Sequence, residues 1–162
     1  MRIGLKALAV LALLGILGTV AVTKAAGLWQ TTGRRLPRPV TDPSGSVRYD
    51  PKDIKGSSWF TEIAQYYGVP LEDLDRAFGL SDAGLSPAAF RCKDMESLGL
   101  ETGVPGTEIG VDSIRLFVAL YTGYDYLPKP GTFLPRTARD LLVEKGGLSE
   151  AQAALLESRT AP

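Results

Sequence analysis

Apolar and polar positions divide the chain into one long unpatterned apolar run, a stretch without periodicity, and a body of short helical repeats. The first is residues 7–23, seventeen residues without a charge, bounded by Lys6 and Lys24. A cleaved signal peptide would need an apolar core of roughly 7 to 15 residues and a small-x-small exit. This core is longer, and its exits put Lys24 or Thr23 three residues before the cut. An uncleaved anchor is the favoured reading. With Lys6 and Lys24 snorkelling, the apolar stretch extends from Leu5 to Trp29, beyond the roughly 20 residues a spanning helix needs. Leu8, Leu11, Leu14, Ile16, Leu17 and Val20 would carry that anchor, with Trp29 in the interfacial aromatic belt. The six-residue leader favours a body outside the cytoplasm, so the expected localisation is a single-pass cell-membrane protein with an extracytoplasmic domain.

Residues 30–52 contain Pro37, Pro39, Pro43 and Pro51 with Gly33 and Gly45, and show no periodicity, which reads as an extended connector. Residues 53–158 return to a helical pattern. Phe60, Ile63, Ala64 and Tyr67 make one stripe that Gly68 ends, after a capping serine at Ser57 or Ser58. Leu71, Leu74, Ala77 and Phe78 make a second, with Pro70 at its first position, acids in its opening turn and Gly79 at its end. Cys92 to Leu98 reads as a short helix and 101–110 as loop. Ile114, Phe117, Val118 and Tyr121 predict a longer helix from Asp112 or Ser113 to Gly123. A last pair covers Arg136 to Lys145 and, after a Ser149/Gln152 capping box, the stretch through Leu156. The fold class expected is therefore all-α: one N-terminal transmembrane helix over 1–29, then a small domain of short helical hairpins, with 159–162 as a tail.

Charge changes this picture in one respect. The chain balances 18 basic against 18 acidic residues, yet Arg34 to Lys55 holds six basic and three acidic, and the rest of the body nine basic and fifteen acidic. A basic stretch of this kind suits anionic headgroups or serves as a solvated tether. The hairpin at 62–69 has the spacing of a helix-turn-helix, but Leu71 to Phe78 carries Glu72, Asp73 and Asp75 against Arg76 alone and would repel phosphate, so no nucleic-acid partner is expected.

The chain has no histidine and one cysteine. Histidine triads, histidine-ligated metals and haem are excluded, as are cysteine-held clusters. Cys92 lies between Arg91 and Lys93, a setting that lowers a thiol pKa if exposed and means nothing if the residue fills the core. Asp73 with Asp75, and Asp94 with Glu96, are two apart on helices and point in different directions, as solvated faces do. No catalytic residue, metal site or cofactor is expected, and the chain reads as a non-enzyme. Aromatics favour interface centres. Tyr124 and Tyr126, in a loop beside Gly123 and Pro128, are the expected partner contact together with Trp59.

Two resemblances add to this. Gly56-Ser57-Ser58-Trp59 followed by Ile63-Ala64-Gln65-Tyr66-Tyr67-Gly68-Val69 resembles the opening of a glycan-binding LysM repeat, although such repeats continue into an asparagine-rich close and a flanking strand where this chain has Arg76-Ala77-Phe78-Gly79-Leu80. Across Asp53 to Leu156, the segments Asp53–Ser57, Tyr67–Pro70, Lys93–Glu96, Glu108–Gly110, Ser113–Tyr121 and Leu134–Gln152 are similar to a soluble module of prokaryotic membrane proteins related to respiratory ferredoxin-type or cytochrome-like subunits. That resemblance implies an accessory module beside an electron-transfer assembly, with the bilayer and another membrane protein or complex as partners. The LysM resemblance implies a cell-wall glycan instead.

Overall fold

In a computed structural model, residues 37–41 and 45–162 are described. Five α-helices lie among them: α1 (Phe60–Tyr67), α2 (Leu71–Phe78), α3 (Val111–Thr122), α4 (Arg136–Lys145) and α5 (Glu150–Ser158). Three 3-10 turns, Pro51–Asp53, Pro87–Ala89 and Cys92–Leu98, fill the intervals. A two-stranded antiparallel sheet precedes them, β1 (Pro39–Thr41) against β2 (Val47–Tyr49), with Val40 opposite Arg48.

The expected fold class is corrected on two counts. The fold is not all-α, because the β1–β2 hairpin forms within the stretch read as an extended connector. Two three-residue strands with no apolar alternation leave no periodic trace in the sequence. The second count is the transmembrane helix. No helix among the described residues is long and apolar enough to cross a membrane, so a spanning helix is not part of the observed fold. The residues assigned to it, Leu8, Leu11, Leu14, Ile16, Leu17, Val20 and Trp29, lie outside the described residues.

Helix α3 is the axis of the core. Ile114, Leu116, Phe117, Val118, Ala119 and Leu120 are all buried, so the helix is covered on nearly every side, as an all-round apolar helix must be. The helices α1 and α2 bring Phe60 and Phe78 to it, and an edge-to-face chain runs Phe90–Phe60–Phe78–Phe117 with ring centroids 5.0, 6.0 and 5.5 Å apart. Such pairs add to plain area burial because ring edges meet ring faces. Helix α4 packs on α2; Ala77 and Ala138 are both fully buried, and Thr137 Oγ1 donates to the Ala77 carbonyl at 2.7 Å. The C-terminal segment is tied by backbone: the Leu134 amide donates to the Arg159 carbonyl at 2.7 Å, and the Ala161 amide to the Leu134 carbonyl at 2.9 Å.

Local signals decide the helix ends. Gly68, Gly79 and Gly123 close α1, α2 and α3 in the left-handed region. The Ser149/Gln152 box forms, with both reciprocal bonds at 3.1 and 3.2 Å. At the start of α1 the expected serine cap is replaced. Trp59 takes the capping position, and the Glu62 carboxylate accepts its amide at 3.0 Å, while Ser58 Oγ accepts the Lys55 amide one turn earlier at 3.1 Å. Pro70 precedes α2 rather than opening it. Cys92–Leu98 winds as 3-10 rather than α.

Candidate functional site

The polar chemistry of the domain converges on Asp112, in the first turn of α3. Its residue surface is 5% exposed. One carboxylate oxygen accepts from the Tyr126 hydroxyl at 2.6 Å and from Arg115 Nη1 at 3.2 Å. The other accepts from the Lys129 amide and from the Thr132 hydroxyl, each at 2.8 Å. Burial alone would raise this carboxyl's pKa, but the four donors outweigh it and hold it below the ordinary carboxylate range. Arg115 reaches further, donating from Nε and Nη2 to the Ile54 carbonyl at 2.9 and 2.6 Å. A single ion pair thus joins the first 3-10 turn, α3 and the loop 124–132. With every lone-pair direction of Asp112 taken up by a donor, the group works as a pin and leaves no free base.

This pin decides what the loop after α3 presents. Gly123 lets the chain reverse, and the Tyr124 amide closes the helix on the Ala119 carbonyl at 2.8 Å. Tyr124 is half-buried; burial, then the charges of Asp50 and Asp53, push its hydroxyl above the ordinary tyrosine pKa. Tyr126 is turned inward, where burial and its bond to Asp112 raise it strongly. Pro128 is buried. Between them Leu127 is 83% exposed, the most exposed of the large apolar residues among those described.

Trp59 stands elsewhere, on a short ribbon. The Phe60 amide donates to the Phe90 carbonyl at 3.0 Å and the Cys92 amide to the Ser58 carbonyl at 2.9 Å, so Trp59 faces Arg91 across an antiparallel bridge. The Arg91 guanidinium carbon lies 4.3 Å from the Trp59 ring centre. Of the three expected contact residues, Tyr124 and Tyr126 therefore share a loop, Trp59 belongs to a different surface, and no ring contact joins them. A second aromatic group, Tyr49 edge-on to Tyr66 and Tyr67 at 5.6 and 6.0 Å, fastens the hairpin to α1. Burial, then Asp53 and Asp50, raise the Tyr67 hydroxyl, which donates to the Asp50 carbonyl at 3.2 Å.

Cys92 is fully buried, and burial pushes its thiol up to about 12. The neighbouring cations, which the sequence offered as activators, point outward while the sulfur points in. An open groove of about 540 Å³ lies along 99–109, with Glu96, Glu101 and Glu108 on its walls and Thr102 hydrogen-bonded to Thr107. Among the described residues no group of three acids and cysteines is placed to hold a metal ion.

Asp112 and Leu127 are the residues sequence reasoning missed. A lone acid near a helix start reads as a dipole partner, and nothing in the spacing shows that Tyr126, Lys129 and Thr132 fold back onto it. No family model, curated protein or solved structure matches the chain.

Proposed function

We propose that this chain is a non-catalytic interaction module that holds a protein partner through the loop 124–130. One observation carries the reading: Leu127 projects into solvent from a loop that Asp112 fixes on both sides, through Tyr126 and through the Lys129 amide. An exposed apolar side chain on a loop already ordered loses little freedom on binding, and preorganisation of this kind raises affinity. Tyr124 beside it offers amphipathic contact area of the type that interface centres favour. The partner is another protein with an apolar recess, in keeping with an accessory role. The test is co-purification of the tagged chain from gentle detergent extracts. Leu127→Asp should abolish recovery of any specific partner while changing the unfolding free energy by less than about 0.5 kcal/mol, as surface substitutions do. Undiminished recovery with Leu127→Asp would refute this use of the loop.

A second reading is favoured by the pairing of 56–60 with 90–93. An isolated antiparallel bridge there, Trp59 against Arg91, brackets α1 and α2 between its two arms, which supports a LysM-like reading although the flanking strand of such repeats was a departure in the sequence. On that reading the ligand is a cell-wall glycan. Sedimentation with purified sacculi tests it, and a chain left wholly in the supernatant would eliminate it.

A further inference from the structure

The ribbon that carries Trp59 also gathers cations from separate parts of the chain. Lys93 follows Arg91, and its amide donates to the Gly56 carbonyl at 2.8 Å. A Cβ on Gly56 would stand 3.2 Å from the Lys93 Cβ, so the two segments touch at that point. Lys55 precedes Gly56, and its ammonium donates to the Lys52 carbonyl at 3.1 Å, which folds the Lys55 stem back beside Lys52. Lys52, Lys55 and Lys93 are all exposed, and none pairs with a carboxylate among the described residues. Four carboxylates lie nearby, Asp50, Asp53, Glu62 and Asp94, all half-buried where the lysines are exposed: Asp50 accepts the Lys52 amide at 2.9 Å, Asp53 the Arg38 amide at 3.0 Å and Glu62 the Trp59 amide at 3.0 Å, while Asp94 adjoins Lys93. Arg91 lies over Trp59 beside them. The outcome is a face whose exposed charges are lysines and whose carboxylates are half-buried, with a half-exposed indole, on a domain that carries nine basic and fifteen acidic residues from Gly56 onward.

We infer that this face, Lys52, Lys55, Lys93 and the Arg91–Trp59 stack, docks on an anionic lipid surface by binding headgroup phosphates. Ammonium groups recognise phosphate as point charges, and an indole beside them suits the headgroup layer, where an amphipathic ring is favoured. Where the chain enters the domain favours lipid over other polyanions. Arg38 is held at Asp53, two residues from Lys55, and only fourteen residues separate it from the uncharged run that ends at Thr23. At full extension that tether spans at most about 50 Å. Arg34 and Arg35 lie on it, so the positive charge continues along the sequence that leads to the most apolar part of the chain. This contact uses other side chains than the Leu127 loop and rests on neither reading of the function.

The test is co-sedimentation of the full chain with vesicles of phosphatidylcholine containing about one quarter phosphatidylglycerol, against vesicles of phosphatidylcholine alone. Each lysine near such a surface strengthens binding about fivefold, so three give roughly a hundredfold preference for anionic vesicles at low salt. That preference should fall steeply as salt rises, because screening shortens the range of the attraction. The triple variant Lys52→Gln, Lys55→Gln, Lys93→Gln should lose most of the preference and keep the residual binding to neutral vesicles. A charge-matched control, Lys129→Gln, Arg136→Gln, Arg139→Gln, should keep the preference. Equal binding to both vesicle types, an unaffected lysine triple variant, or an equal loss in the control would each overturn the proposal. Tighter salt-sensitive binding to a DNA duplex than to anionic vesicles would likewise overturn it, by reassigning the face to nucleic acid. Thermal melts of both variants establish that the domain remains folded.

Discussion

Replacing Asp112 by alanine removes the acceptor for four donors at once. Thr132 is 1% exposed and the Arg115 side chain 16%, so neither regains full hydration when the carboxylate is gone. The ion pair is the larger part: taking one partner from a buried pair costs about 3–5 kcal/mol, because the other charge is stranded. Arg115 keeps its two bonds to Ile54, which places the expected loss near 3 kcal/mol rather than 5. The unpaired Tyr126 and Thr132 hydroxyls and Lys129 amide add about 1 kcal/mol among them, since the loop can open to water. For a domain of this size, a total of about 4 kcal/mol lowers the melting temperature by roughly 12–16 °C. Asp112→Asn keeps the shape but turns an amide donor toward the Lys129 amide or Arg115, so about half that loss is expected. The pH dependence has a definite sign. Because the folded pKa is depressed, the stabilisation is present above the ordinary carboxylate pKa near 3.9 and is lost as pH falls through the lower folded value. Thermal and urea melts followed by circular dichroism at pH 7 and pH 3 measure both effects, and the gap between the wild-type and Asn curves should narrow from pH 7 to pH 3. A drop of less than about 3 °C for Asp112→Ala at pH 7 would refute the assignment of Asp112 as the pin of the domain.

Three further outcomes follow from the packing. Cys92, buried and with its thiol raised to about 12, should resist a disulfide reagent in the native state for hours and react at once in denaturant; rapid native labelling would show the site to be open. Phe117→Ala removes the ring where the aromatic chain meets α3 and should cost about 3–5 kcal/mol by urea titration. Gly131→Ala combines a left-handed backbone with a Cβ that would come 2.7 Å from the Gly106 carbonyl oxygen, so a loss of at least about 2 kcal/mol is expected on the same measurement.

Much of the helical body was legible in the sequence. Stripes at three- and four-residue spacing marked α1 to α5, and glycine, proline and the Ser149/Gln152 box set their ends to within a residue or two, because caps and terminators act over a single turn. The absence of histidine bounded the chemistry in the same direct way. Tertiary structure alone decided the rest. The β1–β2 hairpin depends on Tyr49 finding Tyr66 and Tyr67, and a pairing of two three-residue strands has no period to betray it. Trp59 meets Arg91 only because 56–60 pairs with 90–93 across two intervening helices. Cys92 has cations on either side in sequence but is turned into the core, so proximity along the chain misrepresents its electrostatics. Asp112, one of eighteen acids by composition, becomes the centre of the domain because four donors separated by up to twenty residues fold onto it. Local sequence specifies conformations that a few neighbouring residues stabilise. Contacts between distant segments are set by how the whole apolar surface is buried, and that is where the pin, the exposed loop and the cationic face arise.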